Sequence, residues 1–360
     1  MTQPGTSNVR SQFDNFFSTL ADKQKFNGNI MVLEQGEPIF TGSYGFADLE
    51  KSLPLTHDTV FELASVSKAF TAMGIMLLQE QGKIGYEDQV DSILPGFPYR
   101  DITVRNLLSH TSGLPDYMEL FAQYWDRSKI ATNADVLEQL RVHQPAVLFQ
   151  PNEKYEYSNT GYVLLGSIIE KVSGMSFSAF LKKYIFDHLE MENTRVFNRR
   201  FSQEVIENYA YGYVYSDELG RHSLPDHVKE YDSVIYLDGI QGDGVVNSTL
   251  EDLRKWDRAL YTEKMVSSET LQQAFSPVKL ADNSTYPYGF GWQLRDDSWT
   301  GKVVYHGGSW PGYRNWLGRY IDVDKTIIYL TNVEQDREFT LAVREEAENI
   351  LFGRPYRIPE

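Results

Sequence analysis

The chain has 360 residues, 41% of them hydrophobic and 23% charged, which suits a folded globular protein large enough for two lobes. Its 34 basic against 50 acidic residues leave a formal charge of −16, so neither a nucleic acid nor an anionic membrane is an expected partner. Without cysteine there can be no disulfide, no Cys-ligated zinc and no thiol nucleophile.

In chain order, residues 1–12 are polar and lack a charged-then-apolar leader. No apolar run approaches the ~20 residues of a membrane span. As written, the chain is expected in the cytoplasm; a trimmed exported protein would read the same way. Residues 27–48 predict a hairpin: Ile30-Met31-Val32-Leu33, a turn at Gln35-Gly36-Glu37, then Ile39-Phe40-Thr41. From 61 to 189 helical patterns dominate. Residues 69–78 are apolar nearly all round, as a buried helix should be. A further helix covers 162–169 and stops at Ser173-Gly174. Tyr209, Tyr211, Tyr213 and Tyr215 alternate, which on one strand turns all four rings the same way; a packed hairpin fits that better than an aromatic wall over a pocket. Ser248-x-x-Glu251 has capping-box form. Strand patterns return at 290–294, 303–306, 315–320 and 327–330, and a last helix is predicted over 338–351. Strands at both ends with helices between predict an α+β fold: one sheet assembled from both termini, with an inserted helical lobe.

Chemistry concentrates in three short motifs. Ser65-Val66-Ser67-Lys68 places a lysine one helical turn from a serine, on the same face. A serine hydroxyl needs a nearby base before it becomes a nucleophile. About one such pair is expected by chance in a chain this long, and Ser276-Pro277-Val278-Lys279 is a second. The second runs at once into proline and a loop composition, so Ser65 is the candidate nucleophile. Tyr157-Ser158-Asn159 and His306-Gly307-Gly308-Ser309 follow. Asn159 suits a substrate amide or carbonyl, or else caps the helix after it. A histidine titrates near neutrality, and paired glycines let a substrate approach a strand edge closely. Gly308-Ser309-Trp310-Pro311-Gly312 only approximates a nucleophile elbow, its serine one place early. Metalloprotease, phosphate-loop and dinucleotide motifs are missing, so no metal and no organic cofactor is implied.

With these motifs stand Leu107-Leu108-Ser109-His110-Thr111-Ser112-Gly113-Leu114, Phe149-Gln150-Pro151, and Gly242-Asp243-Gly244-Val245-Val246-Asn247-Ser248-Thr249 ahead of Asp252-Leu253. Tyr288-Gly289-Phe290-Gly291-Trp292 and Pro311-Gly312-Tyr313 join them. On these residues the chain resembles the serine β-lactamase and penicillin-binding superfamily, from about 28 to 351. It looks most like the branch holding class C β-lactamases, D,D-carboxypeptidases, D-aminopeptidases and β-lactamase-like esterases.

The resemblance implies a β-lactamase/transpeptidase-like architecture: an antiparallel sheet flanked by helices (1–90 plus 240–360), a mainly helical lobe (91–239), and the active site between them. It implies Ser65 as nucleophile, with Lys68 and Tyr157 sharing the proton transfer. Asn159, His306, Gly308 and Ser309 would hold substrate, the Ser65 and Ser309 N–H groups forming the oxyanion hole. Tyr157 is preferred over the decoy Tyr313-Arg314-Asn315 because it falls between the serine and the glycine strand, ahead of a helix. Two departures stand out. Asn152 replaces the family's usual glycine, which a left-handed turn tolerates. His306 replaces the lysine of many β-lactamases, so a carboxylate anchor there would be weaker and pH-dependent; this favours peptidase or esterase over efficient β-lactamase chemistry. His110 is expected to be structural and hydrogen-bonded. The expected partner is a small-molecule or short-peptide substrate. The alternative is a non-catalytic penicillin sensor or scaffold that keeps the fold.

Overall fold

The computed structural model of the chain describes residues 6–202 and 204–360. It opens on a helix the sequence reading omitted, α1 (Thr6–Asp22). Its signal was present: Phe13, Phe16, Phe17 and Leu20 recur at helical spacing, and all four are buried. The predicted hairpin follows as β1 (Gly28–Glu34) and β2 (Glu37–Tyr44). Gln35 and Gly36 both take positive φ, at 51° and 79°, the backbone twist that a two-residue hairpin loop needs.

A short strand β3 (Phe61–Glu62) leads through a 3₁₀ turn (Ala64–Ser67) into α2 (Lys68–Glu80). The helical region contains α3 (Val104–Leu108) and α4 (Asn159–Ser173), the latter closed by Gly174 in the left-handed conformation. β4 (Arg195–Val196) and β5 (Val246–Ser248) complete a three-stranded sheet with β3, β5 in the middle. Then come α5 (Leu250–Ala259), β6 (Gln293–Asp297), β7 (Gly301–Trp310), β8 (Tyr313–Tyr320), β9 (Lys325–Thr331) and α6 (Arg337–Leu351).

The main sheet has the order β6-β7-β8-β9-β1-β2 and is antiparallel throughout, so both chain ends do build it. The α+β expectation holds. Alternation along β1 sends Ile30 and Val32 to the side of α1 and α6, and Met31 and Leu33 to the side of α2 and α5. Packing anchors α2: the Phe70 and Trp256 ring centroids lie 4.4 Å apart. Each such buried large apolar side chain contributes ~1.5–3 kcal/mol, more than helix propensity supplies. Among the described residues no single helix is long and apolar enough to cross a membrane.

Three local expectations are corrected. Of the tyrosine run, only Val214–Ser216 is strand, paired with Arg221–Ser223. Tyr209 and Tyr213 are buried while Tyr215 is exposed, so the four rings do not share a face. Tyr213 instead donates its hydroxyl to Asp48 Oδ1 at 3.1 Å. The cap of α5 is Thr249, accepting from the Asp252 N–H at 3.3 Å, one residue after the predicted Ser248. Residues 290–292 precede β6 because Gly291, at φ 76°, breaks the extended run.

Candidate active site

Ser65 lies in the 3₁₀ turn rather than in α2 itself, and Lys68 is the first residue of α2. The three-residue spacing still brings them together, with Lys68 Nζ 3.1 Å from Ser65 Oγ. Lys68 is wholly buried and makes two further bonds, to Asn159 Oδ1 at 2.8 Å and to the Asp243 carbonyl at 2.7 Å. Those two atoms only accept, so two Lys68 protons are committed to them. The third position faces a hydroxyl that can take a proton or give one.

Asn159 is free for this role because the cap of α4 is Ser158, which accepts from the Gly161 N–H at 3.2 Å. Tyr157 stands over the lysine, its ring centroid 5.0 Å from Nζ, and is more than a third exposed. The decoys fall elsewhere. Ser276 donates to the Gln272 carbonyl at 2.6 Å and opens on a separate surface cavity with Lys279. Arg314, of the second tyrosine triplet, lies on β8 and pairs with Glu334.

A cavity of about 210 Å³ opens over Ser65, lined also by Asn159, Ser309, Glu62, Asp238 and Asp243, with Leu237, Ile240 and Trp310 as apolar walls. Tyr157 lines a neighbouring cavity of about 410 Å³, and Asn159 borders both. Backbone strain gathers here. Ala64 takes φ 48° beside the nucleophile, and Val245, a β-branched residue, takes φ 70°. Each costs ~1–3 kcal/mol, which surrounding packing must offset.

The glycine requirement at β7 is steric. A Cβ on Gly308 would stand 2.2 Å from the Leu63 carbonyl oxygen, so the strand lies directly against the turn that carries Ser65. Ser309, the next residue, reaches the cavity, and its hydroxyl accepts from Arg314 Nη1 at 2.7 Å.

His306 does not stand as a cation facing the cavity. It is buried, with Nδ1 2.6 Å from the Gly307 carbonyl and Nε2 3.1 Å from the Tyr288 hydroxyl. A carbonyl only accepts, so Nδ1 carries the proton and Nε2 accepts from Tyr288. Burial, with the Lys68 charge behind it, pushes the His306 pKa down to about 3. The expected imidazolium anchor is therefore corrected to a neutral, doubly bonded imidazole.

His110 is structural as expected. Its Nδ1 accepts from the Ser158 N–H at 3.0 Å and its carbonyl from the Glu156 N–H at 2.9 Å, which fixes the turn bearing Tyr157. Its ring packs 4.4 Å from that of Tyr157, and burial holds its pKa well below the usual value. Asn152 takes φ 65°, the left-handed turn expected of it.

The sequence reading missed Asp243, Tyr117 and Glu62. Asp243 supplies the carbonyl that holds Lys68, and its carboxylate accepts from the Tyr117 hydroxyl at 3.0 Å. The stretch 242–249 was singled out, but a backbone acceptor leaves no side-chain signature. Among the described residues no group of three or more His, Asp or Glu side chains is arranged to hold a metal ion.

A family model described as Beta-lactamase matches residues 13–349. The chain is 50% identical over 353 residues to Penicillin-binding protein 4* of Bacillus subtilis, covering 98% of this chain and 78% of that protein. In structure it is similar to a penicillin binding protein from Bacillus halodurans, with a TM-score of 0.77 and 26% identity over 91% of this chain and 98% of the other. It is also similar to D-amino acid amidase from Ochrobactrum anthropi complexed with L-phenylalanine amide, with a TM-score of 0.76 and 25% identity over 96% of each chain.

Proposed function

For a chain that thus belongs to the Beta-lactamase family, we propose a serine hydrolase that works through a covalent acyl-enzyme on amide or ester substrates. D-amino-acid derivatives are favoured over β-lactams. The observation that carries this reading is the position of Lys68 Nζ, held on Asn159 Oδ1 and the Asp243 carbonyl while facing Ser65 Oγ.

In the first half-reaction Ser65 Oγ bonds to the substrate carbonyl carbon. Its proton passes to the Lys68/Tyr157 pair and from there to the departing amine or alcohol. The N–H groups of Ser65 and Ser309 face the developing oxyanion. Water then attacks the acyl-enzyme, returning a proton to Ser65 and releasing a carboxylic acid. Asn159 holds Lys68 and borders the substrate cavity, so it positions both. The similarity to a D-amino acid amidase, and a neutral His306 where a carboxylate anchor would need charge, both support the amide or ester reading over efficient β-lactam hydrolysis.

The test is to incubate the protein with a fluorescent penicillin and with a fluorophosphonate, then measure intact mass. One acyl or phosphonyl group on Ser65 is expected. Absence of label with both probes refutes the hydrolase and favours a scaffold relative.

A further inference from the structure

Among the carboxylates that line the Ser65 cavity, Glu62 differs from its neighbours. It lies on β3, three residues ahead of the nucleophile. Its backbone is pinned on both sides: it pairs with Asn247 of β5, and its carbonyl accepts from Asn315 Nδ2 at 2.7 Å. The side chain is therefore presented to the cavity from a fixed strand. Asp243 is engaged by Tyr117. Asp238 accepts from the Arg200 and Phe201 N–H groups at 2.6 and 2.7 Å and pairs with the Arg200 guanidinium at 3.1 Å. Among the described residues, no hydrogen bond or ion pair reaches the Glu62 carboxylate.

Its charged surroundings do not neutralise it. Arg199 and Arg200 attract it from a distance, but Asp226 holds both of them, and Asp238 repels it. Burial first, and Asp238 second, push its pKa up to about 7, the mark of a carboxylate short of positive charge.

The cations near the cavity are committed elsewhere. Lys68 spends two bonds on acceptors and faces Ser65 with the third. Arg314 holds Ser309 Oγ and pairs with Glu334. His306 is neutral and turned to Tyr288. Ionised above its pKa of about 7, Glu62 meets a substrate carboxylate as an uncompensated like charge and an ammonium as its complement.

We infer that Glu62 receives a protonated amine of the substrate, so that the enzyme selects acyl donors with a free amino group near the scissile carbonyl over carboxylate-bearing ones. Amides and esters of amino acids with an unblocked α-amine are the class. The inference rests on the serine hydrolase reading above and names the substrate of that site.

The experiment compares an amino-acid p-nitroanilide, in D and L forms, with its N-acetyl and N-succinyl analogues at pH 7.5, in the wild type, Glu62→Gln and Glu62→Asp. Folding is checked by circular dichroism and melting. The wild type is expected to prefer the free amine. A charge-assisted hydrogen bond lost to Gln should cut the free-amine to N-acetyl ratio of kcat/KM about 10- to 100-fold, with partial rescue by Asp. A variant-free measurement accompanies it: an amino-acid amide should protect Ser65 from a fluorophosphonate at lower concentration than its N-acetyl form. An unchanged ratio in Glu62→Gln, or equal protection by both amides, overturns the role of Glu62. Preference for the N-succinyl substrate overturns the substrate class. If no anilide reacts but the fluorophosphonate labels Ser65, the substrate class fails while the hydrolase stands; if Ser65 is not labelled, both fail.

Discussion

Lys68 Nζ stands 3.1 Å from Ser65 Oγ, yet its position is set by two other groups, Asn159 Oδ1 and the Asp243 carbonyl. The lysine is fixed from α4 and from the 242–245 loop, so its reach to Ser65 does not depend on Ser65 holding it. Replacing the serine should then leave the lysine, and the fold around it, in place.

Ser65→Ala should abolish covalent labelling by a fluorophosphonate and leave the melting temperature within a few degrees of wild type. Ser276→Ala should label normally, because that hydroxyl is spent on the Gln272 carbonyl beside a different cavity. Intact mass decides between them. A phosphonyl adduct on the Ser65→Ala protein would move the nucleophile elsewhere.

Lys68→Ala and Tyr157→Phe should each lower kcat by ~10²–10⁴-fold, as general acid–base groups do. Asn159→Ala should also lower kcat, since it leaves a buried Lys68 N–H without its acceptor. Groups that act as one unit lose little more when a second is removed. A Lys68→Ala/Tyr157→Phe double mutant as slow as the product of the two single effects would argue against a shared relay.

Which parts of this site were legible depended on the kind of signal. Ser65, Lys68, Tyr157 and Asn159 carry side-chain chemistry at short spacings, and the hairpin at 30–41 carries alternation with a turn, so both could be read directly. Asp243 acts through its carbonyl, and any residue type offers a carbonyl. Glu62 matters because tertiary packing leaves it without a partner, and no local pattern encodes an absent partner. Helix α1 was legible from Phe13, Phe16, Phe17 and Leu20, whose helical spacing begins only after the polar residues 1–12. The tyrosine run failed for the opposite reason: alternation was present, but Tyr209 and Tyr213 make only isolated bridges, to Val60 and to Val333, so no single strand orients the four rings.

Gly308→Ala tests the steric argument at β7. The added methyl would press on the Leu63 carbonyl, which is backbone and cannot swing away. Overpacking of this kind costs ~1–3 kcal/mol, and relieving it must part β7 from the turn carrying Ser65. Loss of kcat beyond tenfold with a lowered melting temperature is expected. Wild-type activity in Gly308→Ala would mean the strand and the turn are not held this closely.

The last prediction concerns pH. His306 has a folded pKa near 3 against an ordinary value of 6.5, because burial and Lys68 penalise its charged form. In the unfolded chain it binds a proton below about 6.5, while in the folded chain it does not until about 3. Between those values the unfolded state holds the extra proton, so stability is full above 6.5 and is lost as pH falls. One such group gives a slope of about 1.4 kcal/mol per pH unit at most, and His110, depressed for the same first reason, adds in the same direction. Urea melts of the wild type at pH 7.5, 6.5, 5.5 and 4.5 should show progressive destabilisation, shallower by about one proton in His306→Asn. The same neutrality governs catalysis. In Glu62→Gln, which removes the cavity carboxylate that itself titrates near 7, carboxylate-bearing and neutral ester substrates should give matching kcat/KM profiles from pH 5 to 8, since no imidazolium forms there to anchor a carboxylate. A carboxylate-specific fall centred near 6.5, lost in His306→Asn, would restore the charged anchor and contradict the burial of His306 against Tyr288.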